Sequence, residues 1–249
     1  MSDERRVALI ANTSFFVGPP LARLLAGRGH DLVIGDPEEG LVADLEARGA
    51  AVEVVTGAGQ DGDVDGNPFD EIVEAGLKRF GRIDAASMFS GTIVIGSFLN
   101  SDVEDLRSVM QGCIELPYQF LKAVAPSMVE RESGQILVLT SATGARPTPG
   151  VPLYSSARAG ANMLVKNVAQ EVAPHGVQVN AVGTNYIDFP AFLEASGATD
   201  PAVRTRIEAA VPMKRLGTLD EFASFCTVFL DGSSTFTTGQ FVGYAGGWV

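Results

Sequence analysis

Cysteine and histidine are scarce in this chain: Cys113, Cys226, His30 and His175 are all it has of either type. Two well-separated cysteines make no disulfide framework, and these four residues lack metal-ligand spacing, so neither a stapled scaffold nor a metal centre is expected. Basic charge is also in deficit, with 18 Lys and Arg against 30 Asp and Glu and a net charge of -12. That balance disfavours nucleic acid and anionic lipid surfaces, both of which recruit clustered cations. No apolar run reaches membrane-spanning length, and the opening MSDERR leads into residues 7–11 without the apolar region or cleavage site of a signal peptide. The expectation is a reduced, metal-free cytoplasmic protein with neither nucleic-acid nor membrane partners.

What the chain does have is apolar content, 46% of 249 residues, enough to bury one large core within a single domain over residues 1–249. Short apolar runs alternate with helical patterns from end to end, the mark of βαβ units and a parallel sheet with helices on both faces. The candidate strands are residues 6–11, 31–35, 51–56, 85–89, 134–140, 178–182 and 239–243, mostly unbroken apolar segments of the kind that parallel strands buried on both sides require. Residues 57–68, rich in Gly and Asp, read as a solvated loop.

One spacing carries chemistry. Ser141 is followed by Tyr154-Ser155-Ser156-Ala157-Arg158, a Ser-x12-Tyr-x3-Arg pattern. Tyr154 and Arg158 stand four apart on a predicted helix running to about Val172, so their side chains share a face. A phenol is a poor base near neutrality unless a neighbouring cation stabilises its phenolate, and a guanidinium can do so. Ser141, at the end of a predicted strand, stands where open α/β sheets place their ligands, and its hydroxyl can bond a substrate oxygen as charge develops.

These residues, with Leu216-Gly217-Thr218, Thr238-Gly239-Gln240 and Gly246-Gly247 toward the end, resemble the short-chain dehydrogenase/reductase superfamily from Val7 to Gly247. That superfamily usually has Lys where this chain has Arg158. The Arg form, combined with a disrupted glycine motif, resembles the halohydrin dehalogenases. The resemblance implies a single-domain Rossmann-like α/β fold with a doubly wound parallel sheet. It also implies conversion of vicinal haloalcohols to epoxides without a cofactor, with Ser141, Tyr154 and Arg158 as the catalytic set.

After the first strand the usual glycine turn is replaced by Ala11-Asn12-Thr13-Ser14-Phe15-Phe16-Val17-Gly18. Asn12 and Phe16 occupy the first two glycine positions, and an aromatic ring there obstructs the close backbone approach that a pyrophosphate needs. Met88 and Phe89 replace a polar pair that nucleotide-binding members place around the cofactor, and Cys113 falls near the position of their structural Asn. Asp36 stands where a ribose-binding acid would and is read as a strand-end turn residue. The segment Thr184-Asn185-Tyr186-Ile187 resembles the dehalogenases' halide loop, with Thr184 where Pro is common, and Phe16 is expected to line the same halide site. Turn amides and the positive edges of aromatic rings suit such an anion. Azide, cyanide and nitrite should enter the site as nucleophiles toward epoxides. Two other functions stay open: a divergent NAD(P)-dependent reductase, and an inactive scaffold that keeps the fold. By resemblance, the helices over residues 102–128 and 155–172 would assemble a homotetramer.

Overall fold

A computed structural model describes residues 5–57 and 66–249; most of the expected loop at 57–68 lies outside the described residues. All seven candidate strands form, each within three residues of its expected ends. They are β1 (Arg6–Ile10), β2 (His30–Gly35), β3 (Val52–Val55), β4 (Ala85–Phe89), β5 (Gly134–Ser141) and β6 (Val177–Thr184), with the last, Phe241–Tyr244, numbered β9 below. Two short strands that the sequence reading missed, β7 (Ile187–Asp188) and β8 (Gly217–Thr218), pair with each other outside the main sheet; Phe241–Tyr244 is therefore β9. The helices are α1 (Gly18–Gly27), α2 (Leu41–Ala47), α3 (Asp70–Phe80), α4 (Val103–Met110), α5 (Leu116–Glu130), α6 (Pro152–Val172), α7 (Pro190–Ser196), α8 (Pro201–Ala210) and α9 (Leu219–Thr227).

The main sheet is parallel throughout, in the order β3-β2-β1-β4-β5-β6-β9. Alternate residues of each strand point to opposite faces, which explains why the strand sequences are continuously apolar rather than alternating. Val7, Leu9, Val33, Ile136 and Val138 pack toward α3, α5 and α6, while Ala8, Ile10, Leu32, Ile34 and Leu137 pack toward α1, α2 and α9. Fully buried side chains such as Phe120 and Phe222 contribute roughly 1.5–3 kcal/mol each through the area they remove from water. The result is one doubly wound Rossmann-like α/β unit.

Strand order reverses between β1 and β4, and a crevice at the carboxyl ends of the strands follows from that reversal. The turn after β1, the segment after β4, Ser141 at the end of β5 and the segment after β6 all open onto this edge. Register places Ser141 beside Thr184, and Thr184 beside Tyr244.

The helix expected over residues 102–128 is interrupted by a π-turn at Gln111–Glu115 between α4 and α5. Pro117 supplies no N–H to the Cys113 carbonyl four residues earlier, which breaks the α-helical ladder at this point. Its widened backbone brings Gly112 against Thr92, so closely that a Cβ on Gly112 would stand 2.6 Å from the Thr92 nitrogen.

Candidate active site

α6 begins at Pro152, whose missing N–H costs nothing in a first helical turn, and buries Tyr154, Ala157, Arg158, Ala161, Asn162 and Val165 along one stripe. Tyr154 and Arg158 therefore share the buried stripe, Tyr154 packing with Val109 and Cys113. The close approach of the turn at Ala142–Ala145 to this helix depends on Gly144, where a Cβ would lie 2.8 Å from the Arg158 carbonyl carbon. Ser141, Tyr154 and Arg158 are 6%, 7% and 4% exposed. All three expected residues thus come to the same buried end of the sheet.

Ser141 Oγ accepts the Thr143 N–H at 3.2 Å and the Thr143 hydroxyl at 3.0 Å, and its own hydroxyl points toward the Thr184 carbonyl at 3.4 Å. The first two bonds fix the oxygen, and the last is long enough to yield to a better acceptor. Arg158 lies over the Tyr154 ring, its guanidinium carbon 5.1 Å from the ring centroid. The charge therefore meets the face of the aromatic ring, and no hydrogen bond joins it to the phenol oxygen among the described residues. Nη2 of Arg158 donates to the Ser90 carbonyl, while Nε and Nη1 have no protein partner.

Cys113 sits in the π-turn beside this cluster, its thiol 3.8 Å from the Thr92 carbonyl. Burial pushes that thiol up, against the opposing pull of the Arg158 charge, so it is a neutral packing group at physiological pH.

The turn after β1 is packed with aromatic side chains. Phe16 adopts φ 55°, and its ring centroid lies 5.3 Å from Phe89, 4.8 Å from Phe189 and 5.8 Å from Phe222. Asn12 Oδ1 accepts the Ser14 N–H at 3.0 Å, and the Thr13 N–H donates to the Gly35 carbonyl at 2.7 Å, so two amides of the turn are already engaged. α1 opens Gly18-Pro19-Pro20, which leaves two of its first three positions without an N–H. A helix N-terminus holds phosphate through those donors, so this chain lacks much of the cradle. The sequence carried that signal in Pro19 and Pro20, and the reading of the glycine turn passed over it. Asp36, at φ 44° after β2, is a turn residue as expected, its carboxylate accepting the Gly57 N–H at 2.8 Å.

The halide segment divides. Thr184 ends β6 beside Ser141, and Tyr186 holds φ 61° with its N–H donated to Asn185 Oδ1 at 3.0 Å. The Tyr186 ring edge meets Trp248 at 5.5 Å, and Ile187 is buried in the β7–β8 pair. Asp188, close enough in sequence to threaten an anion, instead pairs with Arg204 at 2.5 Å, which neutralises it. A cavity of about 120 Å³ adjoins this segment, lined by Asn185, Tyr186, Ile187, Gly217 and Tyr244. A second cleft, of about 570 Å³, opens beside Phe15, Phe16 and Phe189.

Residues 17–249 match the family model described as enoyl-(acyl carrier protein) reductase. A 3-oxoacyl-[acyl-carrier-protein] reductase of Synechocystis is 28% identical over 98% of this chain and 97% of its own. Oxidoreductase UcpA of Salmonella typhimurium is 30% identical over 94% and 90%. Among solved structures, one titled "Dehalogenation enzyme" is 28% identical, covers 100% of both chains and superposes with a TM-score of 0.83.

Proposed function

Because the chain belongs to the short-chain dehydrogenase/reductase superfamily, we propose that it has exchanged hydride transfer for halide elimination and acts as a cofactor-independent halohydrin dehalogenase. The observation that carries this reading is the turn after β1. Phe16 is wedged among three other aromatic rings, and Pro19 and Pro20 remove helix donors, where a dinucleotide pyrophosphate needs open backbone and free N–H groups. These residues do not fit a nicotinamide cofactor. The Ser141–Tyr154–Arg158 set with Arg in place of Lys, and the likeness to the structure titled "Dehalogenation enzyme", support the same reading.

In the proposed reaction Tyr154, as phenolate, takes the proton of the substrate hydroxyl while Ser141 donates a hydrogen bond to the same oxygen. The alkoxide attacks the neighbouring carbon from the side opposite the halogen. One C–O bond forms, one carbon–halogen bond breaks, and the products are an epoxide, a halide ion and a proton. Arg158 steadies the negative charge on Tyr154 through the ring it covers. The halide leaves toward Phe16 and Thr184-Asn185-Tyr186-Ile187, where the positive edges of aromatic rings suit an anion and Arg204 offsets the charge of Asp188. Assembly as a homotetramer through α4, α5 and α6 belongs to the same proposal.

A site that releases halide presents other small monovalent anions to the same carbon, so azide, cyanide and nitrite should open terminal epoxides. Consumption of azide with a simple epoxide, dependent on Tyr154, tests the proposal; no reaction with any of the three anions contradicts it. The alternative, a divergent NAD(P)-dependent reductase, draws on the names of the relatives and on Asp36 after β2. Saturable binding of NADH or NADPH in a calorimetric titration would favour it.

A further inference from the structure

We infer that Gly91, backed by Gly112, is the seat that holds the Arg158 guanidinium against Tyr154, which makes both glycines positioning residues for the proposed dehalogenation; the inference rests on that reading of the site. Arg158 is 4% exposed, yet no carboxylate pairs with it among the described residues, and its one hydrogen bond runs from Nη2 to the Ser90 carbonyl. Nε and Nη1 have no protein partner. A buried guanidinium anchored so sparsely by polar groups must be placed by what it packs against.

On one side it packs against Tyr154. On the other it lies against Gly91, whose φ is 146° and where a Cβ would overlap Nη2 and stand 2.8 Å from Cζ. The segment carrying Gly91 is itself packed against the π-turn. A Cβ on Gly112 would lie 2.6 Å from the Thr92 nitrogen, 2.7 Å from its Oγ1 and 3.3 Å from the Gly91 carbonyl carbon. Residues 90–92 are therefore held between the guanidinium and the helix, with only hydrogen at both points of contact. A methyl group at either glycine must move the segment or the charge. Moving the charge relative to Tyr154 alters the base without touching the substrate.

The test uses Gly91→Ala and Gly112→Ala, with Gly81→Ala as a control for replacing a positive-φ glycine that has open space around its Cβ position, Gly81 having φ 72°. Crystal structures of both variants should show the guanidinium displaced from the Ser90 carbonyl. In halide release, kcat should fall on the order of 100-fold, as expected for a misplacement of about 1 Å, with KM unchanged and the Gly81→Ala control at parental activity. The Tm lost through Gly91→Ala should also shrink when Arg158→Ala removes the overlapping group, because backbone strain at residue 91 is common to both backgrounds and cancels in the cycle. An unmoved guanidinium with parental kcat, or a Tm loss undiminished by Arg158→Ala, overturns the seat. A parent protein that releases no halide overturns the dehalogenase reading instead, and the displacement and the stability cycle still decide the seat.

Discussion

Ser141→Ala separates two roles that the structure gives one oxygen. Ser141 Oγ caps the short turn that follows β5 by accepting the N–H and hydroxyl of Thr143 at 3.2 and 3.0 Å, and its own hydroxyl makes only the long 3.4 Å contact to the Thr184 carbonyl. Removing it strands donors of a residue that is itself 7% exposed, which costs about 1–3 kcal/mol in stability. In a domain of this size each kcal/mol shifts Tm by about 2–4 °C, so the variant should melt roughly 2–12 °C lower and remain folded at 25 °C. The lost hydrogen bond to the developing alkoxide should lower kcat by about 10²–10³, or roughly 2.7–4 kcal/mol. The two effects are measured apart, by thermal denaturation and by halide release at saturating haloalcohol. Ser141→Thr keeps a hydroxyl and should restore part of both. If Ser141→Ala lowers Tm as stated but keeps parental kcat, Ser141 is a turn cap alone and its role toward substrate is wrong.

Other outcomes follow from the same geometry. Asp84, 2% exposed, accepts from the Val7 N–H and from Arg82 and Arg131; Asp84→Asn should cost about 1–3 kcal/mol, read from denaturant unfolding, because the Val7 N–H and two partly exposed guanidinium groups lose a charged acceptor. Burial pushes the Asp84 carboxyl up, but those hydrogen bonds outweigh it and hold the carboxyl below the usual range, so its contribution is present above about pH 3.9 and lost as pH falls further. An acid limb of equal depth in Asp84→Asn would refute that assignment. Burial, then the Arg6 charge, lowers His30, whose unprotonated form contributes stability above about pH 6.5 that is lost as pH drops below that value. Melting curves taken between about pH 7 and 5 should therefore flatten in His30→Gln. Phe16→Asp should abolish halide inhibition by placing a carboxylate at the proposed pocket while the far-UV circular dichroism stays parental; unchanged inhibition moves the halide elsewhere.

The strands were legible because burial on both faces forces unbroken apolar runs, and α6 because Pro152 and the Tyr154/Arg158 spacing mark its start and its inward stripe. The β7–β8 pair was not, since two-residue strands brought together across about thirty positions leave no local pattern. The π-turn was hidden in a sequence where Pro117 looks like an ordinary first-turn proline of the following helix. Within the candidate site the residue types were readable and their poses were not. That Arg158 covers the ring face of Tyr154 depends on Gly91, 67 residues earlier in the chain, and that Asp188 turns away to Arg204 depends on where α8 packs. Such contacts are products of the fold and have no local signature.

Halide and epoxide release from a simple vicinal haloalcohol, with purified protein and no added nicotinamide, bears most directly on the central claim. The account predicts one halide ion, one epoxide and one proton per turnover, unaffected by NADH or NADPH and abolished by Tyr154→Phe. Absence of halide release across a panel of haloalcohols, together with NAD(P)H-dependent reduction of a carbonyl substrate by the same preparation, would contradict it.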